Sequence, residues 1–148
     1  MKHKYEIMLS LLLVIFTSTV MAQKSDSKTA DGIQHKVVIQ LSSSDSLVWK
    51  SLMNNIKHIK DGWGESVQVE VVAYSAGLDM LMTTKSTQQK KIADFMKMGV
   101  TFVGCENTMR LRKIDKKEII ADVGFVPMGI GELILKQEQG WSYFKAGN

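Results

Sequence analysis

The feature that most restricts the fold is an alternation of short apolar runs with helical stripes along most of the chain. Residues 36–41 (Lys-Val-Val-Ile-Gln-Leu) are rich in β-branched residues and read as a first strand. A helix follows over residues 46–60, where Val48, Leu52, Ile56 and Ile59 recur at helical spacing. Ser42, Ser43, Ser44 and Asp45 are its N-cap candidates, and Gly62 is placed to end it. Residues 67–74 alternate and then turn wholly apolar, as a strand does on entering a covered sheet. Residues 78–82 suit a short helical turn. Ser86 and Gln89 have capping-box spacing ahead of a helix faced by Ile92, Phe95 and Met96. Residues 100–103 form a third strand that leads through Gly104 to Cys105, and residues 106–112 read as a helix start. Asp115 and Glu118 repeat the box spacing, residues 123–126 make a fourth strand closed by Pro127, and Ile130, Leu133, Ile134 and Gln137 trace a last helix ending at Gly140. Residues 141–144 close the pattern as a strand. Parallel strands joined by helices require right-handed crossovers. The expected fold is therefore an α/β three-layer sandwich, with the strand C-termini along one edge. Ser42, Ser75, Cys105 and Met128 fall on that edge.

The N-terminus carries a different message. Lys2 and Lys4 precede an apolar run over residues 8–20, and Val20-Met21-Ala22 offers a small-residue cleavage site. Residues 1–22 read as a signal peptide for export, with retention as an N-terminal anchor the alternative. The run is shorter than the ~20 residues a comfortable membrane span needs. Residues 23–34 are polar and aperiodic and read as a flexible linker. Residues 35–148 form one domain. An exported chain, here a periplasmic one, with a single cysteine cannot build a disulfide framework, so packing must hold it together.

The net charge of +4 suits a soluble protein rather than a nucleic-acid binder. The densest basic run, Arg110, Arg112, Lys113, Lys116 and Lys117, is interleaved with Asp115 and Glu118 and carries no aromatic residue, as in a solvated helix face. No stable membrane association is expected once the leader is removed. The Ser42–Asp45 loop lacks the glycine that close phosphate approach requires, so N-capping is its reading and no cofactor is expected. Met80/Met82 and Met96/Met98 are spaced so that neither pair shares a helix face, which argues for core filling over a metal site. Trp49, Trp63 and Trp141 suit edge packing or an interface.

Cys105 is the candidate site. A thiol between a strand C-terminus and a helix N-terminus meets unpaired N–H groups that favour thiolate. Arg110 would add to that effect and Glu106 would oppose it. Asn107, Arg110, Ser42 and Ser75 are candidate supporting residues.

With the strands and Cys105 placed, the chain resembles the DsrE/DsrF-like sulfur-relay family. The resembling segments are residues 35–42, 69–78, 99–109, 126–133 and 140–145. The resemblance implies a five-stranded, mostly parallel sheet of flavodoxin-like topology and a homo-oligomer, often built from trimers. It also implies a sulfur-bearing cysteine after the third strand, which Cys105 matches. The expected function is an exported persulfide carrier of sulfurtransferase type, working with a sulfur donor or acceptor protein. The alternative is a non-catalytic oligomeric binding module with a structural cysteine. A weaker third reading is a small-ligand or metal binder at the strand C-terminal edge. The residues after Cys105 depart from the small-and-basic run of the classical carrier subunit.

Overall fold

A computed structural model describes residues 34–147. Residues 1–22, read above as a signal peptide, and all but the last of residues 23–34, read as a linker, lie outside the described residues. Among the described residues no helix is long and apolar enough to cross a membrane.

Strand β1 (His35–Leu41) leads through Ser42–Ser44 into helix α1 (Ser46–Trp63). Of the four N-cap candidates the structure uses Asp45, whose Oδ1 accepts the Leu47 N–H at 2.8 Å. Trp49, Leu52, Met53 and Ile56 form the buried stripe. The helix runs past Gly62 and stops at Gly64, whose φ of 54° is cheap only for glycine. Gly62 was the expected stop, but the backbone turns left-handed two residues later.

Strand β2 (Val67–Ala73) ends in a 3-10 segment, Ser75–Leu81, in place of the shorter turn expected. Gly77 presses that segment onto the end of β1, where a Cβ would lie 2.2 Å from the Leu41 carbonyl oxygen. Helix α2 (Gln89–Lys97) has no side-chain cap at its N-cap, Gln88. Ser86 Oγ accepts the Gln88 N–H at 3.2 Å and Gln89 Nε2 donates to main-chain carbonyls, so the expected capping box is not formed. Strand β3 (Val100–Cys105) runs straight into helix α3 (Glu106–Arg112). The box at Asp115 and Glu118 does form, on a 3-10 turn. Strand β4 (Gly124–Val126), helix α4 (Gly129–Glu138) and strand β5 (Ser142–Lys145) complete the chain.

All strand pairings are parallel, in the order β4-β3-β2-β1-β5. The five-stranded parallel three-layer sandwich is as expected. Its strand order has its own character: a flavodoxin sheet reverses between β1 and β3, whereas this one steps from β1 to β4 before crossing back. That reversed crossover carries α4 to the opposite face from α1 and α2, since right-handed connections in opposite directions lie on opposite faces.

The two faces differ. Ile39, Leu41, Val71, Phe102, Leu52, Ile56, Leu81 and Ile92 belong to one large core under α1 and α2. Each fully buried aliphatic side chain there contributes roughly 1.5–3 kcal/mol. The other face holds Val38, Val72, Val103 and Val126 under Leu133 of α4 alone. It also holds a buried ion pair, Glu70 Oε2 to Lys136 Nζ at 2.6 Å, with Lys136 Nζ 4.4 Å from the Trp141 ring centroid.

Candidate functional site around Cys105

Strand register brings the site together. Gly104 pairs with Ala73 and Phe125, and Cys105 pairs with Val126. Alternation along β3 turns Phe102 and Gly104 toward the large core and Val103 and Cys105 toward opposite faces from their neighbours. Cys105 thus faces α4, which its contacts bear out: Sγ accepts the Gly129 N–H at 3.2 Å. It also accepts the Thr108 N–H at 3.4 Å. One donor lies in the first turn of α3 and the other opens α4, so two helix starts converge on one sulfur atom.

Cys105 is 4% exposed. In this chain by itself the sulfur is buried. Continuity of the apolar core drives most cysteines inside. Ser75, Ala76, Asn107, Pro127 and Met128, at the strand ends and helix starts beside it, are all exposed. Burial by itself pushes the thiol pKa up. The donors of Thr108 and the Gly129 N–H outweigh that and hold the thiol below its ordinary value of 9.0.

The supporting residues fall into two groups. Ser75 belongs to the site through its backbone: its N–H donates to Thr108 Oγ1 at 3.0 Å, which leaves the Thr108 hydroxyl hydrogen for sulfur. To do so it adopts a φ of 52°, and Arg112 holds its carbonyl at 2.9 Å. Ser42 lies farther off, its Oγ 3.5 Å from Gln40 Nε2. The Asn107 N–H donates to the Pro127 carbonyl at 3.2 Å. Arg110 Nη2 donates to Asn107 Oδ1 at 2.6 Å, so the cation expected to favour the thiolate is spent on a surface contact. Glu106, expected to oppose it, is paired with Lys116 Nζ at 2.6 Å.

Sequence reasoning missed Thr108, Gly129 and Tyr74. Thr108 was visible as the residue three beyond a strand-end cysteine, where a helix N–H reaches back to its cap. Gly129 lies far along the chain, and only the pairing of β3 with β4 brings it near. Beside the thiol a cavity of about 420 Å³ is lined by Ser75, Asp79, Thr108, Leu111 and Arg112. Arg112 and Asp79 pair across it, and with Lys85 this outweighs burial and lowers the Asp79 pKa. No group of three or more His, Cys, Asp or Glu side chains suited to hold a metal ion occurs among the described residues.

Comparison with known proteins agrees with this geometry. No curated protein matches the chain. Among solved structures, MTH1491 of Methanobacterium thermoautotrophicum, a protein of unknown function, is 30% identical over 75% of this chain and 98% of its own, with a TM-score of 0.71. BT1422 of Bacteroides thetaiotaomicron is 18% identical over 74% and 93%, with a TM-score of 0.54. The ychN protein of E. coli is 13% identical over 75% and 98%, with a TM-score of 0.55. The latter two are similar in fold. The DsrE/DsrF-like family model matches residues 36–146. With the parallel sheet and the family match across the whole domain in agreement, the chain belongs to the DsrE/DsrF-like family.

Proposed function

We propose that this protein is an exported sulfur carrier that works as a homo-oligomer, with Cys105 bearing the sulfur as a persulfide. The family is implicated in sulfur relay in general. The observation that carries the reading is the convergence of Thr108 and Gly129 N–H groups on Sγ. Such donors favour the thiolate, and the thiolate is the nucleophile. In the forward step the Cys105 thiolate attacks the outer sulfur of a donor persulfide, R–S–SH. A new S–S bond forms at Sγ, the donor's own S–S bond breaks, and R–S⁻ leaves with the bonding pair. The proton stays on the transferred sulfur, giving Cys–S–SH. An acceptor thiolate then takes that sulfur by the same exchange, so no oxidant is consumed. Two N–H groups suit both ends of the cycle, because each is a sulfur anion.

Export to the periplasm rests on the N-terminal pattern of residues 1–22. Self-association is favoured by exposed Ile130, Ile134 and Leu135 on α4 and Tyr143 and Phe144 on the edge strand β5. One observation favours a second reading, an oligomeric binding module with a structural cysteine: Sγ is buried in the protomer. The two part on one experiment. The folded protein is exposed to inorganic polysulfide, freed of excess reagent and weighed intact. A carrier gains the mass of one sulfur atom, loses it to a reductant, and gains none as Cys105→Ser. A binding module gains none in either form.

A further inference from the structure

We propose that Tyr74 is a positioning residue for Cys105: its ring is the backstop that seats the Gly129 N–H on the sulfur. This rests on the carrier reading for its purpose, though not for its geometry. Ala73 pairs with Gly104, so Tyr74 and Cys105 are the next neighbours across β2 and β3. Adjacent strands lie about 4.8 Å apart. Tyr74 packs on the α4 face and Cys105 Sγ meets the first residue of α4. Gly129 lies over both. A Cβ on Gly129 would stand 2.8 Å from Tyr74 Cβ and 3.1 Å from ring atoms Cγ and Cδ1. Real Cβ atoms do not tolerate such contacts, so α4 starts this close to the sulfur only because residue 129 is glycine and Tyr74 limits its approach.

The backstop is itself held. Gln40 Nε2 donates to the Tyr74 hydroxyl at 2.7 Å, and the Tyr143 hydroxyl donates to Gln40 Oε1. The Tyr74 N–H is tied to the Leu41 carbonyl at 3.1 Å. The next residue, Ser75, braces the other arm through Thr108 Oγ1. The dipeptide Tyr74-Ser75 therefore props both helix starts that hold the sulfur. The charged groups around it are accounted for: Glu106 is paired with Lys116, and Asp79 with Arg112 and Lys85. Tyr74 and Tyr143 are the other titratable side chains nearby, and burial raises the Tyr74 pKa above its ordinary 10.0, so the phenol stays protonated while the thiol titrates.

The test is a double-mutant cycle read by the pH profile of Cys105 alkylation with iodoacetamide in the folded protein. Gly129→Ala and Tyr74→Ala each withdraw the N–H from sulfur, one by collision and one by loss of the backstop. Each should raise the thiol pKa by about one unit, or about tenfold less thiolate at neutral pH. In the double variant the added methyl still meets the Cβ kept at position 74 but no longer the ring atoms at 3.1 Å, so the pKa rise should be smaller than the sum of the two single rises. Tyr74→Phe keeps the ring, loses only the Gln40 bond, and should give a smaller rise of about threefold in the same readout. It also serves if the alanine variants do not fold. Additive shifts in the double variant, or an unchanged profile in Tyr74→Phe and Tyr74→Ala alike, overturn the proposal. If wild type takes no sulfur from polysulfide, the carrier reading falls while this titration result stands on its own.

Discussion

The two faces of the sheet are built for different ends. Under α1 and α2 the contacts are a large apolar core, with Lys60 the buried charged side chain of α1. Under α4 the apolar contribution is a row of valines with Leu133. Around that row stand Glu70, Lys136, Gln40, Tyr74 and Cys105, all held by hydrogen bonds or ion pairs. Close packing stabilises without regard to chemistry, whereas buried polar groups are costly unless each is satisfied. The difference teaches that one face holds the domain together and frees the other to gather polar contacts around a thiol and to leave apolar residues of α4 exposed. Glu70 Oε1, buried with no hydrogen-bond partner, shows how thinly the second face is optimised for stability.

The contrast can be broken first at its strong side. Phe102→Ala removes the largest fully buried side chain of the large core. It should cost about 3–5 kcal/mol in denaturant unfolding. The thiol profile, measured on the fraction still folded, should not move. Next comes Lys136→Met, which leaves Glu70 buried without its cation. The cost should be about 3 kcal/mol, the low end for breaking a buried pair because the lysine side chain keeps 17% exposure. Its pH dependence follows from Glu70. Burial raises that carboxyl above 4.5, against the pull of Lys136, and the neighbouring Glu132 raises it further. A raised carboxyl favours the fold below 4.5, and that contribution is lost as pH rises through the folded pKa. Without Lys136 the folded pKa is higher still, so the penalty should grow with rising pH and shrink in acid. Leu133→Ala is the smallest of the three at roughly 2 kcal/mol, since α4 can settle onto the valines. Equal costs for Phe102→Ala and Leu133→Ala would erase the distinction between the faces.

The architecture was legible because strand and helix periodicities here do not compete. β-branched runs, helical stripes and the Asp115/Glu118 box all point the same way. What failed was local. Gly62 and Gly64 are equally good stops in sequence, and the choice between them is made by where the helix meets the start of β2. Ser86 and Gln89 have the right spacing, but their side chains satisfy turn groups before the helix begins. Of the candidate site, the sequence placed Cys105 at the end of β3 and Ser75 just after β2. Arg110 and Asn107 were close in sequence yet bond each other. Gly129 and Tyr74 were invisible because strand register, not spacing, brings them to the sulfur. The strand order was equally beyond reach, since crossover lengths permit several ways to lay β5.

The most direct test is alkylation of Cys105 by iodoacetamide in the folded full chain as a function of pH. Modification should go to completion without denaturant, with the midpoint of its rate rise below pH 9.0, since the thiol is held under that value. Labelling that requires denaturant, or a midpoint at or above pH 9.0, would contradict the account.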